Sequence, residues 1–391
     1  MSKLSAALKV FAFFPPLLVL IGTIGVIACG KSIYPTVTAT NTSSSTATAS
    51  PATMAFVSNF NSGTISEFKR NTTTGKLTRV GVVTAGQKKG PKGLAITPSN
   101  GFLYAANFGD GKVYEYSVGS NAVLTSLGNV SDGSGSGPSW IAINPVSATV
   151  LYVTNFSNGT MSSWTIGSTG TLTALQTITG FSGPFGLLIN SAGSILYVAD
   201  NSAGLIYTFT INSDGTLTSN GSVLSLGTAP GAPGLLAING TNLYVDDINN
   251  GVVTQFSTST GIPVFGANFP STFQSNIQPV GIAIAAPSAA TYVMTANQAA
   301  NNTWAFQVLN NGFLSVPPTS SSSVSAPTGL AVDPLSAFAY TADQGDGTVG
   351  IFQLSVACPT TVVPACLIST INSETSPPSD GSAPFDVVLT N

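Results

Sequence analysis

Short apolar runs separated by turns rich in Asn and Gly recur along most of the chain. Each unit opens on an aromatic residue and reaches Asn or Asp a few residues later, as in Tyr152-Val153-Thr154-Asn155. The seven aromatic residues, spaced 45 to 48 residues apart, are Phe56, Tyr104, Tyr152, Tyr197, Tyr244, Tyr292 and Tyr340. Self-similarity at such a period is typical of repeat architectures in which each copy is one supersecondary unit.

Within each unit the apolar pattern predicts four short strands. A second aromatic residue follows 12 residues after the first in six copies and 14 in one: Phe68, Tyr116, Trp164, Phe209, Phe256, Phe306 and Phe352. The Asn- and Gly-rich turn between the two aromatic residues suits a tight hairpin. A later Leu after Gly or a small residue marks a further strand, at Leu77, Leu124, Leu172, Leu217 and Leu314, and Pro-x-Gly-Leu-Ala-Ile or a variant precedes each unit. Four strands per unit indicate a propeller blade, with the aromatic columns packed between blades.

The first unit lacks its opening strand, and the missing piece stands at the C-terminal end of the chain. Pro384 to Val388 matches Pro91 to Ala95 in pattern. Pairing of this last strand with the first blade would close the ring and remove its free edges. Residues 53–391 are therefore predicted to form an all-β, seven-bladed β-propeller with four-stranded blades.

Composition narrows the chemistry that this propeller could perform. The chain contains no His, which excludes the Ser-His-Asp triad and His-ligated metals. Its net charge of −3 argues against nucleic-acid binding. The Asn and Asp residues that end the repeat motif could suggest calcium, but such residues cap their own turns, so we expect neither a metal nor a cofactor.

The N-terminal 52 residues are predicted to export and anchor the chain. Lys3 and Lys9 precede an apolar run from Val10 to Ala28, the pattern of an export signal. Val26-Ile27-Ala28-Cys29 resembles the lipobox of bacterial lipoproteins, which implies a signal peptide over 1–28 and a lipid on Cys29. An uncleaved membrane span is the alternative, although Pro15-Pro16 would break its helix.

Residues 29–52 are rich in Ser and Thr and carry almost no charge, so we expect a flexible tether. The predicted location is the bacterial cell envelope, with the propeller facing the periplasm or the exterior. The sequence predicts the membrane, reached through the lipid anchor, as a partner, together with a carbohydrate or an anionic small molecule. We expect a monomer.

The Tyr-Val-Thr-Asn motif, its variants and the Pro-x-Gly-Leu-Ala-Ile elements resemble the bacterial lactonase-like propellers known as YVTN repeat proteins. The resemblance covers nearly all of residues 53–391 and implies relatives similar to 6-phosphogluconolactonase, whose proposed active sites use His, Arg and Glu around the central funnel. Here there is no His, and Arg70 and Arg79 both lie in the first blade. Glu67, Glu115 and Glu374 do not replace the set, so no catalytic residue is carried over from the family.

Two residues on adjacent inner strands could still support hydrolysis of a lactone. Asp386 would activate water as a general base, and Lys92 would stabilise the oxyanion. The alternative is a salt bridge across the closure seam, which contributes little stability if exposed.

Ligand-binding candidates cluster near the same rim. Lys88, Lys89 and Lys112, together with Lys92, could attract an anionic sugar, polymer or lipid headgroup, or could form an ordinary solvated surface. Trp140 and Phe185 could stack on a sugar face or simply plug the channel.

Cys358 and Cys366 flank an insertion in the last blade. In an exported protein they are predicted to form a local disulfide that pins a long hairpin.

Two functions follow from these candidates. The first is a lipid-anchored propeller that binds a carbohydrate, an anionic small molecule or a partner through its funnel face without turnover. The alternative is a lactone hydrolase that uses Asp386 and Lys92. A purely structural role at the cell surface is a third possibility.

Overall fold

The structure is a computed structural model of the 391-residue chain. It describes residues 54–86, 90–133, 135–226, 231–259, 264–270, 278–287, 290–315, 319–320, 324–354, 365–372 and 382–390. Cys29, Lys88, Lys89 and Cys358 lie outside these residues, as do the signal peptide and the tether, so the roles assigned to them stay predictions. The described part of the chain contains no helix that is long and apolar enough to cross a membrane.

Twenty-eight strands form seven four-stranded antiparallel sheets, one per blade. Blade 1 contains β1 (Met54–Asn59), β2 (Thr64–Arg70), β3 (Leu77–Thr84) and the last strand, β28 (Pro384–Leu389). Blade 2 contains β4 (Pro91–Ile96), β5 (Phe102–Asn107), β6 (Lys112–Val118) and β7 (Leu124–Ser131). Blade 3 contains β8 (Pro138–Ile143), β9 (Val150–Asn155), β10 (Thr160–Ile166) and β11 (Leu172–Thr179).

The other four blades follow the same order. Blade 4 contains β12 (Pro184–Ile189), β13 (Ile195–Asp200), β14 (Leu205–Ile211) and β15 (Leu217–Ser225). Blade 5 contains β16 (Pro233–Asn239), β17 (Asn242–Asp247), β18 (Val252–Ser257) and β19 (Val264–Pro270). Blade 6 contains β20 (Pro279–Ala285), β21 (Tyr292–Asn297), β22 (Asn302–Gln307) and β23 (Thr319–Ser320). Blade 7 contains β24 (Pro327–Val332), β25 (Phe338–Asp343), β26 (Thr348–Leu354) and β27 (Ala365–Asn372), so Cys366 lies in its outermost strand.

The predicted closure of the ring by the C-terminal strand is confirmed. β28 pairs antiparallel with β1, with Val57 opposite Val387. The innermost strands contact one another in the order β4, β8, β12, β16, β20, β24, β28 and back to β4. The central channel therefore runs between seven inner strands that all point the same way.

The predicted aromatic columns are core residues, except that Tyr292 is only partly buried. Phe56, Tyr104, Tyr152, Tyr244 and Tyr340 are fully buried. The Tyr hydroxyls cross to the next blade, because Tyr104 donates to the Gly170 carbonyl and Tyr152 to that of Gly215, at 2.8 and 2.9 Å. Tyr340 of blade 7 reaches Gly75 of blade 1 in the same way, at 2.8 Å. Each bond ties one blade to the turn before the outermost strand of its neighbour.

The recurring Leu after that turn also contributes a contact between blades. The Leu124 and Leu172 N–H groups donate to the side chains of Glu67 and Glu115 in the preceding blade, at 2.6 and 2.8 Å. Burial raises the pKa of both Glu side chains. These two Glu residues therefore join neighbouring blades through hydrogen bonds from the backbone.

A buried ion pair joins the first and last blades. Arg70 Nη1 lies 3.2 Å from Asp333 Oδ2, and both side chains are almost fully buried. Asp333 also accepts the Ala337 and Phe338 N–H groups. Arg70 therefore joins blade 1 to blade 7 at the closure seam.

Candidate functional site

A ring of seven side chains surrounds the mouth of the central channel, at the end where the inner strands begin. Each member directly follows the Asn or Asp that ends the repeat motif: Phe60, Phe108, Phe156, Asn201, Ile248, Gln298 and Gln344. Each backbone N–H donates to the carbonyl just before the first Pro of the same blade's inner strand, at 2.9 to 3.1 Å. All seven side chains are partly exposed. We call this set the mouth ring.

The Asn and Asp residues that precede the mouth ring hold its turns. Asn107 Oδ1 accepts the Gly109 and Asp110 N–H groups. Asp200 accepts Gly183 N–H through Oδ1 and Ser182 N–H through Oδ2, which draws the loop before the inner strand toward the hairpin. The oxygens of Asn107 and Asp200 are therefore bound to backbone N–H groups, as turn residues are expected to behave. In contrast, Asn59, Asn155 and Asp343 each have a buried Oδ1 without a hydrogen-bond partner in the described residues.

The mouth ring has an aromatic side and an amide side. Blades 1 to 3 contribute Phe60, Phe108 and Phe156, whereas blades 6 and 7 contribute Gln298 and Gln344. Gln298 Nε2 donates to Gln344 Oε1 at 2.9 Å. A mouth with ring faces on one side and amide groups on the other offers both apolar contact and hydrogen bonds to a bound molecule.

Lys92 occupies the aromatic side. Its Nζ lies 3.9 Å from the ring centroid of Phe108, and 5.6, 5.7 and 5.5 Å from those of Phe60, Phe185 and Phe385. Phe185 belongs to blade 4, so the ammonium is held by rings from three blades. Four rings at such distances stabilise a cation by several weak cation–π contacts.

The ammonium of Lys92 has no anionic neighbour in the described part of the chain. It forms no ion pair and donates no side-chain hydrogen bond there. Burial lowers the pKa of Lys92 to about 8, while the four rings favour its charged form. The mouth therefore presents a partly exposed positive charge whose N–H donors have no acceptor among the residues that the structure describes.

Trp140 and Phe185 extend this aromatic cluster, as their sequence positions near the rim predict. Their ring centroids are 6.2 Å apart, and Phe185 meets Phe156 edge-on at 6.4 Å. The rings pack on one another and on Lys92, so they narrow the channel and also form a continuous apolar surface. Lys112 opens β6, the third strand from the axis, and does not belong to this cluster.

Asp386 lies on β28 next to β4, but its carboxylate is bound to the backbone. Oδ2 accepts the Leu94 N–H at 2.9 Å and Oδ1 accepts the Val387 N–H at 2.8 Å. The residue is 5% exposed, and burial raises its pKa to about 7. Asp386 thus joins two inner strands, and it forms no ion pair with Lys92.

The sequence pattern did not predict the mouth ring, because the repeat motif was defined only as far as its Asn or Asp. The residue directly after that Asn or Asp could have indicated the ring, because it is Phe in three consecutive blades and Gln in two others. A residue placed identically in every blade but varying in chemistry is a candidate for function, whereas the invariant aromatic columns are core. The sequence did place Lys92, Trp140 and Phe185 correctly near the rim.

The fold and its mouth define a closed seven-bladed propeller whose channel mouth is lined by aromatic rings on one side and by amide groups on the other. A model of the family described as lactonase, 7-bladed β-propeller, matches residues 51–186 and 122–234. The chain is thus a seven-bladed β-propeller that resembles this lactonase family over residues 51–234, as its repeats predict.

Solved structures agree on this fold. A candidate 6-phosphogluconolactonase from Bacteroides fragilis is 18% identical, with a TM-score of 0.74, over 89% of this chain and 100% of its own. A Lactobacillus plantarum protein is 18% identical, with a TM-score of 0.69, over 87% and 100%. The periplasmic gluconolactonase PpgL of Pseudomonas aeruginosa is 17% identical, with a TM-score of 0.66, over 86% and 99%. No curated protein matches the chain.

Proposed function

We propose that this protein is an exported, lipid-anchored propeller that binds an acidic carbohydrate at its mouth ring without turning it over. The observation that carries the proposal is the Lys92 ammonium, which lies among four Phe rings and has no acceptor for its N–H donors among the described residues. A carboxylate or phosphate on a sugar would accept those donors. The Phe faces would pack on the sugar ring, and the Gln298 and Gln344 amides would bind hydroxyl groups.

The location follows from the same proposal. An export signal and a lipid on Cys29 would place the propeller in the cell envelope, and the likeness to a periplasmic gluconolactonase supports that compartment. A ligand outside the cytoplasm would then reach the mouth directly.

Binding without turnover is favoured because no carboxylate of the described residues lies within ion-pair distance of Lys92. Both Asp386 oxygens accept backbone N–H groups, and the residue is buried between β28 and β4. A general base needs to reach the proton that it removes.

The test compares a charged and a neutral sugar on the same protein. We expect calorimetry to show binding of glucuronate but much weaker binding of glucose. Lys92→Met keeps the apolar stem and removes the charge, so it is expected to weaken glucuronate binding at least tenfold, equivalent to about 1.4 kcal/mol. Lys112→Met, on the same rim but outside the cluster, is the control and is expected to change binding less than twofold. Equal affinity of the parent and Lys92→Met proteins for glucuronate would contradict the proposal.

The hydrolase alternative keeps one observation in its favour, since a carboxyl with a pKa of about 7 suits a general base near neutral pH. Hydrolysis of gluconolactone and its phosphorylated form is followed by titration of the released acid. Turnover that disappears in Asp386→Asn, with an unchanged melting temperature, would replace the binding proposal. We expect no turnover above the uncatalysed rate in either protein.

A further inference from the structure

The end of the propeller opposite the mouth carries an unusual set of exposed apolar side chains. Strands run alternately along the blade, so the turns from first to second strand and from third to fourth strand all lie at that end. Five of the seven large apolar side chains that are exposed in the described residues are in those turns: Val123, Val146, Leu309, Phe313 and Leu335. We call this end the apolar face.

Exposure of these side chains is substantial and widely distributed. Leu335 is 77% exposed and Val146 is 67% exposed. They stand on blades 7 and 3, while Val123 is on blade 2 and the remaining two are on blade 6. A set spread over four blades fits a broad flat partner better than a single inserted peptide, because no one groove connects its members.

The centre of the same face is apolar as well. A cavity of about 350 Å³ lies where the inner strands end, and Ile96, Ile284, Leu330, Val332 and Leu389 contribute to a lining without polar side chains. The exposed charged side chains at this end, among the described residues, are Lys69, Lys76 and Asp214. Apolar side chains with a small excess of Lys are typical of surfaces that rest on anionic lipid.

The chain enters the propeller at this face. Met54 N–H donates to Thr390 Oγ1 at 3.0 Å, and Thr390 N–H donates to the Met54 carbonyl at 3.1 Å, so β1 begins beside the end of β28. The residues before Met54 include the apolar run from Val10 to Ala28. Whatever membrane anchor precedes Met54 is therefore connected to the apolar face and not to the mouth.

We infer that the apolar face rests on the surface of a lipid bilayer, with Leu335, Val146 and Phe313 inserted among the headgroups. Burial of these side chains in the interface removes apolar area from water, the same driving force that holds interfacial helices. This inference does not depend on what the mouth binds. It needs only a bilayer close to the point where the chain enters.

The experiment uses the full chain on vesicles of phosphatidylethanolamine and phosphatidylglycerol, with and without bromine on the acyl chains. Leu335→Trp and, separately, Val146→Trp place a fluorophore on the apolar face. Val82→Trp is the matched control, since Val82 is 42% exposed on the outer strand β3 and away from the face. The three native Trp residues contribute the same background to every variant.

Brominated lipid is expected to quench most of the emission that Leu335→Trp and Val146→Trp add, and little of that added by Val82→Trp. Flotation of the vesicles reports membrane attachment separately. Chains that float without selective quenching would overturn the apolar-face inference and leave the anchor intact. Chains that do not float at all would overturn both the apolar-face inference and the predicted membrane anchor. Equal quenching of the three added fluorophores would show a chain lying on its side and would also overturn the inference.

Discussion

Each Tyr hydroxyl that crosses between blades satisfies a carbonyl of the neighbouring turn. Tyr104 and Tyr152 are buried, and their acceptors are the carbonyls of Gly170 and Gly215. Burial raises the pKa of Tyr244, which makes the corresponding bond to Gly312, to about 12. Phe56 fills the same column in blade 1 without a hydroxyl, so the ring alone is compatible with the site.

Tyr152→Phe is therefore expected to destabilise the protein without altering its fold. Removal of the hydroxyl leaves the Gly215 carbonyl unpaired, which costs about 1 to 3 kcal/mol. Urea unfolding measures the change. The control is Tyr207→Phe, whose partly exposed hydroxyl makes no hydrogen bond among the described residues, and its loss should be clearly smaller. Equal losses would show that the hydroxyl of Tyr152 contributes nothing beyond solvation.

At the scale of the element, the turn before the outermost strand of blade 3 favours glycine for two reasons, although blade 2 has Ala122 at the same place with a φ of +66°. Gly170 has a φ of +86°, a conformation that other residues adopt at a cost. A Cβ on Gly170 would also overlap the ring of Phe102 in the preceding blade. Gly170 thus has a left-handed backbone conformation and also lies directly against the Phe102 ring.

Gly170→Ala is expected to cost more than the backbone conformation alone explains. The left-handed conformation costs about 1 to 2 kcal/mol, and displacement of the Phe102 ring adds about 1 to 3 kcal/mol. Gly221→Ala is the matched control, because Gly221 has a φ of +65° and open space around its added Cβ. Thermal unfolding of both variants measures the difference, and similar melting temperatures would contradict the packing contribution.

The repeat pattern predicted the strands well because every blade packs against its neighbours in the same way. Strand order, the aromatic columns and the shared first blade all depend on positions such as Tyr152 and Leu172, which recur at fixed spacing. The candidate site was harder to predict from the sequence, because Lys92 and Phe185 come from different blades and meet only when the ring closes. The neighbours of Asp386 could not be predicted either, because an inner-strand carboxylate can face the channel or the adjacent strand with the same spacing.

For the whole molecule, buried carboxyl groups set the response to pH. Burial raises the pKa of Asp343 to about 8 and that of Asp386 to about 7. The chain has no His, so no imidazole titrates near neutral pH beside these two carboxyl groups. Lys92, whose pKa is lowered to about 8, is protonated in both folded and unfolded chains below pH 7 and does not contribute there.

Stability is therefore expected to rise as the pH falls from about 8 to about 4. In that window the unfolded chain has lost protons that the folded Asp343 and Asp386 keep, so unfolding releases protons and acid favours the folded state. Each such carboxyl contributes up to about 1.4 kcal/mol per pH unit. Urea unfolding at several pH values checks the slope, and Asp343→Asn should make it shallower. A slope of the opposite sign would show that these carboxyls are ionised in the folded protein.

Ring closure by β28 also has a consequence for how the protein is made. The hydrogen bond from Asp386 N–H to Ser58 joins residues 328 positions apart. Blade 1 keeps an open inner edge until nearly the entire chain has been synthesised, and contacts of such long range form slowly. Folding cannot finish while the C-terminal residues are still inside the ribosome or a translocation channel. The blade that is started first is thus the last to be completed.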